Sequence, residues 1–521
     1  MNHRYSPMVK VLALAMVLTI FIFAIGCTTA PENSSDKEPI ETSSEATSVI
    51  SGESPSATEP SSFPSQSTSS IQKGSVATNG TQKTIGTTAQ TRSTAESTTT
   101  SKKPVATTTT RKQWGDVTNG YVQPQFFIST FKALPHSTGA SLDTYRKIVR
   151  LNKEAGINLI ENAIMSRQEG LQAFQACEAE GVRFLAQNIT ADKGYSGMGG
   201  NLPAYTEDTI KFVVDELKNY KYLEGYYTWD EVTRNDFNKC KTLNSLFKKY
   251  DRPSLTFSLV LPSYGQYNWT APDGNWRNAI YAQYVNEYVA AVNPDVLSFD
   301  YYPFQMHGGP NANLTNCTMW RDMGLMRQKS LETGKPFWFY FQGYSMAGDS
   351  YEFTGEMLSV QMYCALAYGV KCLSYFSTIS CVADPNGNKY ASFDTVKALN
   401  HRVQNIGNLL FKQDSEELYH FGIKKANQEL YYLDKVENSS ILKSAPDNTI
   451  VGIFGNGGAK KYILVASKDY KNALAGSLSL KKSMKISRFD PEKNTISQVS
   501  ASANNVSLNI PAGGCAVFVV E

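Results

Sequence analysis

The stretch Tyr222–Leu261, YLEGYYTWDEVTRNDFNKCKTLNSLFKKYDRPSLTFSLVL, decides the fold. An apolar, aromatic-rich run closes on Asp230-Glu231. A helical pattern, RNDFNKCKTLNSLFKKY, follows, and a second apolar run, SLTFSLVL, comes after it. Strand, helix and next strand make a parallel β/α unit, because parallel neighbours need a crossover helix. The unit recurs in both directions. Upstream stand QFFISTF, LDTYRKIVRLNKEAG, INLIE, RQEGLQAFQACEAEG, VRFLAQN and TEDTIKFVVDELKNY; downstream stand NWRNAIYAQYVNEYVAAV, DVLSFDYYPF, MWRDMGLMRQKSLETG, PFWFYFQ, TGEMLSVQMYCALAYG, KCLSYFS and FDTVKALNHRVQNIGNLL. Eight units over roughly 290 residues predict a closed (β/α)8 TIM barrel. A doubly wound sheet is disfavoured, since no Gly-rich phosphate loop follows the first strand.

Five predicted strands end on a polar side chain: Glu161, Asn188, Glu231, Asp300 and Gln342. In a barrel those ends converge on one rim, the rim that carries function. Past about Glu416 the pattern changes to ELYYLDK, TIVGIFG, KKYILVASKD, SLSLKKS, KISRFDP, NVSLNIP and CAVFVVE. Short alternating strands divided by Gly, Asn, Asp and Pro predict an antiparallel β-sandwich. Its expected role is to pack against the barrel. A carbohydrate-binding module is the other reading, but no Trp follows Trp338.

The amino-terminal end reads differently. MNHRYSPMVK carries Arg4 and Lys10 and leads into VLALAMVLTIFIFAIG, which ends at Cys27. A charged start before an apolar middle is the pattern of a secretory signal. Ala24-Ile25-Gly26-Cys27 resembles a bacterial lipobox, with Ala24 where Leu is commoner, which implies lipidation at Cys27. A plain signal peptide or a single membrane anchor is the alternative. Residues 28–112 are Ser, Thr, Pro, Gly and scattered charges, too poor in apolar side chains to offset the entropy of ordering, and predict a disordered tether. The expected organisation is 1–27 signal, 28–112 linker, 113–415 barrel and 416–521 sandwich, in an extracellular, lipid-anchored monomer at the bacterial cell surface. Lys and Arg number 50 against 47 Asp and Glu, with no basic block, so nucleic acid is not an expected partner. Apart from Cys27 there are seven cysteines, an odd number without CxxC, so buried thiols are expected in place of a disulfide framework. No metal-ligand spacing occurs and no cofactor is expected.

The residues of GYYTWDEV, Gly225–Val232, set aromatic rings beside two carboxyls, which suits a ligand with both C–H faces and hydroxyls, as sugars have. Cleaving a glycosidic bond takes one group to protonate the leaving oxygen and one to attack the anomeric carbon or activate water. Glu231 is the candidate acid: the neighbouring Trp229 lowers local polarity and favours the protonated form. Its structural alternative is a helix N-terminal carboxylate.

An acid ending strand four, YYPF after strand six and ALAYGVKCLSYFS entering strand eight resemble the bacterial clan A glycoside hydrolases, nearest to β-galactosidase-like members with a small β-sandwich behind the barrel. The resemblance covers Gln125–Glu521 and implies that Glu231 takes the acid/base position. That clan carries a nucleophilic Glu at the end of strand seven, where this chain has Gln342. Two positions can supply the second group. Asp300 forms with Glu231 a strand-four and strand-six pair that resembles the α-galactosidase-type barrels. Asp230, adjacent to Glu231, resembles the hexosaminidases in which an Asp orients the substrate's own 2-acetamido nucleophile. Because successive strand residues face opposite ways, Asp230 and Glu231 share one face only if the strand has already turned.

Glu161, Asn188 and Gln342 are expected to position hydroxyls. Tyr227, Trp229, Trp269, Tyr302 and Tyr344 are candidate platforms for sugar faces, and His307 a hydrogen-bonding group. The expected activity is extracellular O-glycoside hydrolysis of an oligo- or polysaccharide. The rival from another class is a glycan-binding lipoprotein, a barrel that keeps its aromatic rim without catalysis.

Overall fold

The computed structural model describes residues 119–135, 139–161, 167–186, 206–265, 276–345, 351–423 and 431–521. Segments 1–27 and 28–112, with Cys27, and the candidates Asn188 and Trp269 lie outside the described residues.

Among the described residues the first eight strands are β1 (Phe127–Phe131), β2 (Leu159–Glu161), β3 (Arg183–Ala186), β4 (Leu223–Trp229), β5 (Leu255–Ser258), β6 (Leu297–Tyr301), β7 (Phe337–Gln342) and β8 (Cys372–Phe376). Helices α1 (Leu142–Glu154), α2 (Arg167–Glu180), α3 (Glu207–Leu217), α4 (Phe237–Tyr250), α5 (Trp276–Val292), α6 (Met319–Thr333), α7 (Gly355–Ala367) and α8 (Phe393–Phe411) follow them in turn. All strand pairs are parallel, in the order β5-β4-β3-β2-β1-β8-β7-β6. Val260, just past β5, bridges Phe299 of β6, its N–H donating to Ser298 O at 3.0 Å. That contact joins the two edges and makes a TIM-type barrel.

The local reasons are visible in the sequence. FISTF and FWFYFQ are buried along their whole length, as parallel strands covered on both faces must be. In α1 the buried side chains Tyr145, Ile148, Val149 and Asn152 recur at helical spacing, and the Ser141 hydroxyl caps the start by accepting from Thr144 N at 3.2 Å. Alternation along each strand then sorts two layers. Phe127, Leu159, Leu185, Tyr227, Phe257, Trp338 and Tyr340 fill the barrel interior, while Ile128, Ile160, Phe184, Tyr226, Phe299 and Tyr301 join the layer under the helices. At the N-terminal end of the strands the Tyr121 hydroxyl donates to Glu224 at 2.5 Å, and Glu224 also holds Arg183 at 2.6 Å.

Beyond α8 come β9 (Asp414–His420), β10 (Leu442–Ser444), β11 (Thr449–Gly455), β12 (Lys461–Ser467), β13 (Leu474–Asp490), β14 (Thr495–Ile510) and β15 (Cys515–Val520). They form one antiparallel sheet, ordered β10-β13-β15-β12-β11-β9 with β14 on β13. Val451, Ile453, Ile463, Val465 and Phe518 gather with Leu478, Leu480, Val506 and Leu508 of the long hairpin, so one continuous sheet supplies both layers of the sandwich core. Ile450, Phe454, Leu464 and Val517 point the other way and join the barrel's outer layer. Gly452 permits that docking: a Cβ there would lie 2.2 Å from the Ala367 carbonyl at the end of α7.

Two expectations are corrected here. SLSLKKS and KISRFDP are not separate strands but parts of β13, whose register shifts between Ser479 and Met484 absorb Lys481 and Lys482. ELYYLDK is not a strand over its described part, 431–435. Tyr431 is pressed onto α6, where a Cβ on Gly324 would lie 2.2 Å from the Tyr431 carbonyl, and Tyr432 turns the chain at φ 56°.

Candidate active site

The end of β4 is where the sequence and the geometry diverge most. Tyr227 faces the interior, but Thr228 bonds outward to Asn244 of α4 at 2.6 Å and to the Phe257 carbonyl at 2.8 Å. The register with β5 slips between Tyr227 and Trp229. With that extra residue Trp229 enters the layer between strands and helices and is only 3 % exposed. The strand then breaks: Glu231 has φ 46°, a left-handed conformation that a non-glycine residue adopts at a cost of about 1–2 kcal/mol. The result is that Asp230 and Glu231 both reach the mouth of the barrel. Tyr227 OH donates to Asp230 Oδ1 at 3.0 Å, and Glu231 is under the electrostatic influence of both Asp300 and Asp230.

Four carboxyls therefore gather at the strand ends. Glu161 lies deepest, fully buried on β2. It accepts from the Ser129 hydroxyl at 2.5 Å, from Ser374 at 3.1 Å and from the Tyr340 hydroxyl. Burial nevertheless pushes it up to about 7 against those three donors, with Asp230 adding to the rise. Asp300, on the interior-facing phase of β6, is 2 % exposed and is pushed up to about 7 by burial and by the Asp230 charge. The Tyr302 hydroxyl opposes that shift, while Asp300 Oδ1 has no hydrogen-bond partner among the described residues.

Asp230 and Glu231 are half-buried. Desolvation raises Asp230, opposed by the Tyr227 hydroxyl and by the charge of Lys132. Glu231 has no such support: burial, Asp300 and Asp230 all raise it well above the carboxylate range, and it makes no side-chain hydrogen bond among the described residues. The cause of its proton affinity is thus burial first, then the like charges of Asp300 and Asp230.

Aromatic rings form a wall around these groups. Phe131 lies 5.9 Å from Tyr227 and stacks on Phe376 at 5.8 Å; Phe376 in turn meets Tyr302 at 5.1 Å and Tyr344 at 6.2 Å. Phe376, Tyr302 and Tyr344 are partly exposed, so their faces are accessible to a ligand, whereas Tyr227 is buried. Lys132, at φ 56° just after β1, sits over Phe131 at 5.5 Å and Phe376 at 5.9 Å.

Two other candidates have structural partners. The Gln342 amide is fully engaged: its Oε1 accepts from Phe304 N and Gln305 N, both at 3.1 Å, and its Nε2 donates to the Tyr344 carbonyl at 3.0 Å. It anchors the short helix Pro303–Met306 after β6. His307 pairs through Nε2 with the hydroxyl of Tyr301 at 2.9 Å, and Tyr301 faces the helix layer, away from the carboxyls. Lys132, Phe131 and Tyr264 were not singled out in the sequence. Tyr264 sits close enough to Asp300 and Glu231 for both to raise its hydroxyl. For Lys132 the signal was present, a charge directly ending the apolar run QFFISTFK.

No family model and no curated protein matches the chain. Solved structures do. The β-galactosidase from Bacillus circulans sp. alkalophilus aligns at 9% identity over 76% of this chain and 99% of its own, with a TM-score of 0.50. A glycoside hydrolase family 5 protein from Bacteroides vulgatus aligns at 11% identity over 78% and 92%, with a TM-score of 0.47. α-Galactosidase I from Mortierella vinacea aligns at 12% over 76% and 96%, with a TM-score of 0.45. The β-galactosidase structure thus shares this barrel, and at 9% identity the likeness concerns the fold alone.

Proposed function

We propose that the protein is an extracellular glycoside hydrolase in which Glu231 protonates the leaving oxygen and Asp300 is the second carboxyl, attacking the anomeric carbon or activating water. The observation that carries this reading is the unequal environment of neighbouring carboxyls. Glu231 has two like charges beside it and no donor among the described residues, so its proton is held tightly; burial raises Asp230 too, but the Tyr227 hydroxyl and the Lys132 charge oppose that rise. Carboxyls whose environments push their proton affinities apart are the requirement for acid-assisted glycosidic cleavage. The partly exposed rings of Phe376, Tyr302 and Tyr344 are suited to sugar faces, and the carbohydrate is the expected partner. In the substrate-assisted variant, Asp230 orients a 2-acetamido group; the turn at Glu231, which lets both neighbours reach the mouth, favours it.

The same reading includes a lipid anchor at Cys27 and a tether over 28–112 that holds the barrel outside a bacterial cell; the apolar run before Cys27 and the Ser/Thr-rich composition support it. One observation favours a glycan-binding protein without turnover: the amide of Gln342, at the strand-seven position, is committed to the scaffold. The test is sugar release from a panel of aryl glycosides and oligosaccharides by the wild-type chain and by Glu231→Gln. Hydrolysis that the substitution reduces at least about a hundredfold supports the enzyme. Glycan binding without release in either protein supports the binder.

A further inference from the structure

Among the described residues, the mouth of the barrel is short of positive charge and lacks a hydrogen-bond donor for one buried carboxyl oxygen. Asp230 acts electrostatically on Glu161, Glu231 and Asp300, and Asp300 acts on Glu231, while Lys132 is the one cation that acts on any of them among the described residues. Asp300 is the sharpest case. It is 2 % exposed, it lies on the interior-facing phase of β6, and its Oδ1 is buried without a partner among the described residues. A buried carboxylate oxygen left unpaired is costly, so the missing donor belongs to whatever binds there.

Resting on the glycosidase reading of this site, we propose that the sugar ring held beside Asp230 and Asp300 carries a primary ammonium, so that the substrate class is a glycan of de-N-acetylated amino sugars. A sugar hydroxyl would satisfy Asp300 Oδ1 but leave the repulsion among carboxylates untouched. An acetamido group brings one N–H and no charge. An ammonium brings three donors and a positive charge, and so meets both needs. The site already holds one ammonium in this manner: Lys132 acts on Asp230 while lying over the Phe131 and Phe376 rings. Tyr302, also partly exposed, offers a second such face beside Asp300. Among the described residues no three acidic, His or Cys side chains converge as metal ligands, so an organic cation fits the arrangement better than a metal ion.

The experiment is calorimetric binding to the full chain carrying Glu231→Gln, which slows hydrolysis of unactivated oligosaccharides about a hundredfold or more. The probes are the glucosamine tetramer, the N-acetylglucosamine tetramer and cellotetraose, with the galactosamine series alongside. In at least one series the free-amine oligomer binds about tenfold or more tighter than its acetylated and neutral counterparts. Adding Asp300→Asn abolishes that preference, and Asp230→Asn does the same should the first variant fail to fold. Equal affinities, binding to none of the probes, or an amine preference that survives both substitutions overturns the proposal. The two readings fail separately. Glu231-dependent hydrolysis of neutral glycans without amine preference removes this proposal and keeps the hydrolase, while amine-selective binding without hydrolysis does the reverse.

Discussion

Replacing Asp300 by Asn is expected to raise the stability of the folded chain at pH 8 and to leave it nearly unchanged at pH 4. The folded carboxyl titrates near 7 and an unperturbed Asp near 3.8, so the native state binds this proton more tightly than the unfolded state does. Below about pH 4 both states hold the proton and nothing is lost. As the pH rises from 3.8 through about 7, the unfolded chain releases it first, and native stability falls by about 1.4 kcal/mol per pH unit. About three units correspond to a loss on the order of 4 kcal/mol at pH 8, or about 2–4 kcal/mol once relaxation of the Asp230 charge is allowed for. Asn keeps the shape and cannot ionise, so it recovers that loss. For roughly 400 folded residues the unfolding entropy is about 0.8 kcal/mol per kelvin, which turns the gain into a Tm increase of about 2–5 °C at pH 8. Scanning calorimetry of both proteins at pH 4, 6 and 8 reads the difference. A gap that stays constant with pH, or an Asn variant less stable at pH 8, refutes the electrostatic picture of the site.

Other substitutions separate the remaining roles. Lys132→Met removes the charge that favours ionised Asp230, so the acid limb of the kcat/KM–pH profile should move to higher pH; an unmoved limb places Lys132 outside the chemistry. Phe376→Ala should weaken glycan binding about tenfold through the lost ring face. Trp229→Phe should cost about 1–2 kcal/mol of stability and leave KM within about twofold, because that ring is buried in the helix layer; thermal melts and initial rates on both variants check the contrast.

The barrel was legible because its signals are local and repeated. Apolar runs such as FISTF and PFWFYFQ are too short for helices and too uniformly apolar for exposed strands, and the helical patterns between them are marked by caps such as Ser141 and Thr354. The site was legible to the extent that it follows from strand ends: Glu161, Glu231 and Asp300 meet at one rim because parallel strands all point one way. What the sequence does not carry is the local backbone. The slip at Thr228 turns Trp229 away and the left-handed Glu231 turns Asp230 and Glu231 together, and neither has a compositional mark. Gln342 looked like a ligand group because its partners, the N–H groups of Phe304 and Gln305, come from a different β/α unit. His307 likewise depends on which way Tyr301 faces, a matter of strand phase that one misplaced residue reverses.

The most direct test of the central claim, that Glu231 is the proton donor, is the leaving-group dependence of Glu231→Gln. Wild-type and variant rates are compared on one sugar bearing either a dinitrophenolate, which departs without a proton, or an alcohol, which needs one. The variant should nearly retain activity on the activated substrate and lose about a hundredfold or more on the unactivated one. An equal loss on both, or no loss on either, contradicts it.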